Sequence, residues 1–419
     1  MAEMAHTKGE LKYMQSMSLS SKIQFSNRRL QGWFENWVKY KIINTKTGKV
    51  RYVTWHEDEL PKLRKNEELD NYDTEAGQVY VSFSGGKDST VLADLAAKFC
   101  KAHCYTLYLL FVNTGLEYPE IQKHVKYFAQ WLRDTYEIDV VLDVVRPEMR
   151  FDDVIKTYGY PIISKEVSNT ISGAKNSIEK KEYSHRLCKL GVSRDEYGGL
   201  HDEGKYDYEG NLQNSKYRQY KWRPLLDVDF NASSFCCNVM KKNPAKEYEK
   251  TTGRKPIVAT LAEESDLREN AWFKNGCNAF EAKRPMSQPL SFWTNQDILL
   301  YIKQFKIPIC SVYGEVVYED SPEQTRIEEF GVDGAGVENL KTTGCDRTGC
   351  IFCAFGCHME KGISRFEMLK QTHPRQYKYC IEGGAYDEAG IWKPSKEGLG
   401  MGHVFDELNK IYGDDFIKY

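Results

Sequence analysis

Ser84-Gly85-Gly86-Lys87-Asp88-Ser89 is the run in this sequence whose residue types best suit anion chemistry. Glycines let the main chain turn sharply and approach a charged group closely, so that several N–H groups point at it. Ser84 and Ser89 add hydroxyl donors, and Lys87 adds a full positive charge. The run follows Val79-Tyr80-Val81-Ser82-Phe83, which reads as a strand, and leads into a helix whose positive dipole end would face the same anion. The first glycine of a Walker loop stands further from its Gly-Lys pair, so a nucleotide chemistry of another kind is expected.

Cysteine spacing carries a second chemistry. Cytosolic thiols stay reduced, so twelve cysteines in such a chain point away from disulfides and toward ligands. Two clusters stand out: Cys236-Cys237, and Cys345, Cys350, Cys353 and Cys357. The gap in Cys350-Ile351-Phe352-Cys353 lets both sulfurs reach one metal from a tight turn. Thiolates suit iron–sulfur centres and zinc alike. A purely local site from Cys345, Cys350, Cys353 and Cys357, with either metal, and free buried thiols are further readings of the same residues.

The elements that position these groups follow from hydrophobic period. Residues 78–83, 105–112, 139–145 and 256–261 read as strands, with helices over Asp88–Lys101 and Tyr118–Tyr136 between them. Val91, Leu92, Leu95, Ala96 and Phe99 share one helical face. Such alternation predicts an α/β fold, a doubly wound parallel sheet covered on both sides. Phe111-Val112-Asn113-Thr114-Gly115 lies at a strand end, where ligands of open parallel sheets bind. Thr260-Leu261-Ala262-Glu263-Glu264-Ser265-Asp266-Leu267-Arg268 repeats the strand-to-turn-to-helix pattern, and the planar fork of Arg268 suits phosphate or sulfonate oxygens.

Residues 1–75 read as an N-terminal helical extension, its helix marked by Ile23, Phe25, Leu30, Trp33, Phe34 and Trp37. These aromatic residues are expected to cover an edge of the main domain. Residues 76–312 form the nucleotide-binding α/β domain, with an insertion over about 183–220 in which charges, glycines and tyrosines crowd without apolar period. Lys181, Arg186, Lys189, Lys216, Arg218 and Lys221 belong to or border it and read as a solvated surface or a phosphate-backbone contact. Residues 313–419 form a C-terminal cysteine-containing metal-binding region with a helix near Ser364–Gln371.

Composition bounds the rest. With 41% apolar residues the 419-residue chain buries a substantial core. The 58 basic and 60 acidic side chains nearly cancel and give no general argument for a polyanionic partner. No stretch approaches the roughly 20 apolar residues that span a bilayer, and Met1–Glu10 lacks the apolar run of a signal peptide. A cytoplasmic protein without a membrane partner is expected.

Taken in order, the Ser84 loop, the Asn113 turn, the Cys236-Cys237 pair followed by Lys241 and Lys242, the Glu264–Arg268 segment and Ser287-Gln288-Pro289-Leu290-Ser291-Phe292-Trp293 resemble the phosphoadenylyl-sulfate (PAPS/APS) reductase family. The resemblance is to its iron–sulfur type, within the PP-loop (adenine-nucleotide α-hydrolase-like) superfamily, over about residues 78–310. It implies a Rossmann-like PP-loop fold acting between the α- and β-phosphates of ATP or on a (phospho)adenylyl sulfate. Lys87, Asp88 and Arg268 would be catalytic. Ser84, Gly85, Gly86, Ser89, Asn113, Thr114, Gly115, Glu264, Ser265 and Lys241 would help to bind the nucleotide, with Mg²⁺ offsetting its charge. The resemblance also implies that Cys236, Cys237, Cys350 and Cys353 hold one 4Fe-4S cluster, with Cys345 and Cys357 as alternates and zinc as the alternative metal.

Sulfonucleotide reductases of this family attack sulfur with the cysteine of a C-terminal Glu-Cys-Gly-Leu-His sequence. This chain reads Lys396-Glu397-Gly398-Leu399-Gly400-Met401 instead. The favoured expectation is an ATP pyrophosphatase or adenylating sulfur-transfer enzyme, whose partners would be a nucleic-acid or small-molecule sulfur acceptor and a thioredoxin-like or cysteine-desulfurase donor. Thiol-dependent reduction of an adenylyl sulfate and nucleotide binding without turnover, as a regulatory component, are the alternatives.

Overall fold

A computed structural model describes residues 5–37, 39–54, 63–72, 79–192, 219–319 and 339–419. The chain forms two compact units. The first takes Met1–Asn113, Glu117–Arg146 and Ala245–Thr348, and the second takes Thr114–Leu116, Pro147–Pro244 and Gly349–Tyr419. Neither is one continuous stretch, whereas the sequence suggests a linear partition.

In the first unit, a six-stranded sheet has the order Val140–Val145, Leu107–Val112, Val79–Ser82, Lys255–Ile257, Met286–Ser287, Asn278–Ala279. Its neighbours pair in parallel except for the last two. The chain builds outward from Val79–Ser82 in one direction and then returns to its other side, so the topology switches at the strand that carries the glycine loop. Ligands of open α/β sheets bind beyond the strand ends at such a switch. Val81, Leu109 and Ile257 are fully buried, as strands covered on both faces require. The fold is the expected α/β class.

One strand is shorter than its apolar run. Lys255–Ile257 stops where residues through 261 were expected, because the chain bends into a turn closed by the Glu264 carboxylate, which accepts from the Leu261 N–H at 3.4 Å.

The helix Lys87–His103 begins at the loop and is pinned from below. Asp94 is fully buried and accepts from the hydroxyls of Tyr136 at 2.5 Å and Tyr301 at 2.6 Å, with Lys98 Nζ at 2.9 Å. These bonds tie it to the helices Pro119–Tyr136 and Asn295–Phe305. A buried carboxylate with a cation and two hydroxyls is fully paired, and this limits how far Lys87 can wander.

The N-terminal residues pack as expected and add one feature the sequence did not reveal. Along Leu19–Trp37, Leu30, Trp33 and Phe34 join the main core. Ser26 donates to Pro289 O at 2.8 Å and accepts from Trp293 Nε1 at 2.9 Å, while Lys22 pairs with Asp297 at 2.6 Å. After this helix comes a three-stranded antiparallel sheet, Val50–Thr54, Lys39–Asn44 and Glu67–Tyr72 in that order, where only helical structure was expected. Gly48, at φ 66°, makes the turn between the first two of these strands in the chain.

The second unit holds the helices Phe151–Tyr158, Lys165–Glu179 and Met401–Tyr412, and Ile171, Phe230, Phe366 and Phe405 are buried in it, the last two in ring contact. Ile162–Ile163 pairs in parallel with Ala354–Phe355, which brings the segment after Cys353 onto this core. The helix expected near Ser364 spans Arg365–Thr372, and Ser364 caps it in a reciprocal pair with Glu367. Of the expected insertion, His185–Lys189 is a short helix, and residues 193–218, with Lys216 and Arg218, lie outside the described residues. No described helix is long and apolar enough to cross a membrane.

Candidate functional site: a phosphate cradle and a cysteine cluster

Residues 84–86 turn the chain from strand to helix as the glycines require. Gly85 has φ 74°, and a Cβ there would meet Val125 Cγ2 at 2.9 Å and Ile121 Cγ2 at 3.0 Å. Only glycine suits both the backbone and the space. Gly85→Ala is expected to cost about 1–3 kcal/mol and to displace the loop, lowering the melting temperature and shrinking its rise on adding ATP. An ATP-induced rise equal to that of the unaltered protein would show the loop to be uninvolved.

Hydroxyl groups converge on Gly86. A Cβ there would stand 3.3 Å from Ser84 Oγ, 3.3 Å from Tyr313 Oη and 3.4 Å from Thr348 Oγ1. Ser84 and Ser89 share a hydrogen bond at 3.1 Å, and Ser89 donates to Gly86 O at 2.8 Å. The Lys87 N–H donates to Tyr313 Oη at 3.2 Å, and that hydroxyl in turn bonds Thr348 Oγ1 at 2.5 Å. Burial pushes the Tyr313 phenol above its ordinary range, so it stays protonated at neutral pH.

Lys87 is only 5% exposed, yet its Nζ is not lost in the core. It donates to Asp346 O at 2.9 Å and stands 3.9 Å from Asp88 Oδ1. A cavity of about 490 Å³ opens beside it, lined by Lys87, Asp88, Glu264, Lys341, Asp346 and Arg347 among others. Glu264 pairs through Oε2 with Arg268 and through Oε1 with Arg347. Desolvation and then the neighbouring Arg347 lower the Arg268 pKa, while Asp88 acts the other way. The loop, Asp88, Glu264 and Arg268 therefore lie in one charged neighbourhood.

Sequence reasoning missed Tyr313, Asp346, Arg347 and Thr348, three of which lie in a stretch read only for its sulfurs. The other expected nucleotide residues are placed by local structure. Asn113 ends its strand, donating N–H to Val145 O at 2.8 Å, and its Oδ1 accepts from Gln122 at 3.4 Å. Thr114 Oγ1 accepts from the Leu116 N–H at 3.1 Å, and Gly115 has φ 74°. Ser265 is the N-cap of Asp266–Asn275.

The cysteine group lies in the second unit. Cys236 and Cys237 precede a π-helical turn, Asn238–Lys242, which carries Lys241. Cys236 donates its thiol hydrogen to Cys237, raising its own pKa and lowering that of its partner. Lys165, Lys241 and Lys242 favour the Cys237 thiolate further. Cys350 and Cys353 lie within electrostatic reach of Cys236, and burial with Cys350 pushes the Cys353 thiol up to about 11. Cys237, Cys350 and Cys353 all act against ionisation of Cys236, and Cys350 and Cys237 act against that of Cys353, so the four thiols are electrostatic neighbours.

The alternate ligands differ in setting. Cys357 is 4% exposed and donates its thiol hydrogen to Cys353 O at 3.6 Å. Cys345 belongs to the first unit, where desolvation and Cys310 push its thiol up to about 11. Among the described residues, no group of three or more His, Cys, Asp or Glu side chains is arranged to hold a metal ion.

A strand-loop-helix cradle at the switch point, with a buried lysine and two arginines beyond it, defines a nucleotide-binding protein of the PP-loop class. The family model for the phosphoadenosine phosphosulfate reductase domain matches residues 78–232 and 200–355. The chain belongs to that family. No curated protein matches it.

Proposed function

We propose that this chain is an iron–sulfur enzyme that binds ATP or an adenylyl sulfate at the Ser84–Ser89 loop and works chiefly as an ATP pyrophosphatase or adenylating sulfur-transfer enzyme. The observation that carries the reading is Lys87, buried at a switch-point loop with its ammonium beside a polar cavity. There the loop amides and Lys87 would bind the oxygens of the departing pyrophosphate and stabilise the charge that grows on them. Arg268 would hold a further phosphate or sulfonate oxygen by its fork.

Asp88 Oδ1 is buried without a hydrogen bond, and it faces Lys87. That is the kind of acceptor a nucleotide-bound Mg²⁺ uses, because Mg²⁺ takes one or two carboxylates and fills its shell with phosphates and water. The Cys236, Cys237, Cys350 and Cys353 donor set supports a 4Fe-4S cluster, which when bound would supply soft sulfur and redox chemistry. Lys241 would place a positive charge near it and tune its potential.

One observation weighs against sulfonucleotide reduction. Cys380 is fully buried against Met401, and burial raises its thiol well above the usual range, so it is a poor stand-in for the missing C-terminal nucleophile. Anaerobically purified protein with ATP and Mg²⁺ is expected to release pyrophosphate and AMP. Sulfite release from an adenylyl sulfate plus thiol, without pyrophosphate from ATP, would replace this reading with the reductase one.

A further inference from the structure

We infer that Arg347 and Arg268 form a two-guanidinium seat for the terminal anionic oxygens of the substrate, which makes Arg347 a determinant of polyphosphate over monophosphate binding. The inference rests on the nucleotide reading of the loop.

Two like charges share one carboxylate here. Arg268 and Arg347 take the two oxygens of Glu264, whose side chain is 13% exposed and also receives the Leu261 N–H. Each guanidinium carries five donors in a fixed fork, of which one carboxylate oxygen engages a small part. One carboxylate, Glu264, is set against both guanidinium groups, and desolvation and then Arg347 disfavour the charge on Arg268 while Asp88 favours it. A second anion bridging both forks would add a further counter-charge.

Neighbouring residues hold Arg347 in place. Asp346 O accepts from Lys87 Nζ at 2.9 Å, and Thr348 Oγ1 bonds the Tyr313 hydroxyl that accepts the Lys87 N–H. The residues before and after Arg347 are thus tied to the loop lysine, and Arg347 lines the same cavity as Lys87 and Asp88. A phosphate on the loop would place the next one along this cavity. Paired N–H bonds from an arginine fork match phosphate oxygens, which a lysine cannot reproduce.

Equilibrium binding of ATP, pyrophosphate and AMP to the full chain tests this. Arg347→Ala is expected to weaken ATP and pyrophosphate by about ten- to a hundredfold and to leave AMP within about twofold. Arg347→Lys should recover only part of the loss. Unchanged pyrophosphate affinity in Arg347→Ala, or an equal loss for AMP, would overturn the seat. Lys87→Ala separates the two claims. If it loses ATP while Arg347→Ala does not, only the seat fails, whereas ATP affinity preserved in Lys87→Ala removes the nucleotide reading itself.

Discussion

Lys87→Ala is expected to lower the rate of pyrophosphate release from ATP by about 10²–10³-fold, the largest effect of any single change in the first unit. The side chain is nearly enclosed, and its ammonium is within 4 Å of Asp88 and bonded to a main-chain carbonyl, so it acts in a setting where water screens charge poorly. Truncation removes the cation and leaves Asp88 without its counter-charge. Like charges would then face the incoming polyphosphate. The fall should appear in kcat as well as KM, because charge on the leaving oxygens is greatest in the transition state. Melting temperature serves as the control for folding. A variant that folds and turns over ATP at the original rate would remove the catalytic role of the loop.

Iron content is expected to collapse when any of Cys236, Cys237, Cys350 or Cys353 is replaced by serine. The unaltered protein, purified without oxygen, should be brown and carry about four irons per chain. Loss of one thiolate leaves an incomplete ligand set, and the visible absorption should fall with the iron. Cys345→Ser is the informative contrast, because its sulfur has Cys310 and Lys87 as electrostatic neighbours in the first unit. It should keep its iron. A colourless protein containing zinc would defeat the cluster assignment, and iron loss in Cys345→Ser would return the site to the local cysteine run.

Parts of this arrangement are legible in the sequence because they rest on local rules. The glycine loop is one, since positive φ at Gly85 and close approach to Ile121 and Val125 both exclude side chains. The apolar face of the helix after it is another, and so is the helix near Ser364. Long-range pairing is not legible in this way. Arg347 and Glu264 are 83 residues apart and Lys87 and Asp346 are 259 apart, and no residue period announces either contact. The short sheet of Lys39–Asn44, Val50–Thr54 and Glu67–Tyr72 escaped because its strands are short and polar, with few apolar residues to set a period. The way the chain interleaves its two units depends on tertiary packing, which periodicity does not report.

The contacts at Lys87 also set a threshold for what can bind. Its ammonium bonds the Asp346 carbonyl, and its main-chain N–H bonds the Tyr313 hydroxyl. Binding is then an exchange of partners, and only the difference between old and new bonds is gained. A singly charged visitor such as chloride brings one unit of charge and no array of oxygens to replace both bonds. A polyphosphate would substitute several charged oxygens for neutral ones, so these contacts would favour it over small anions.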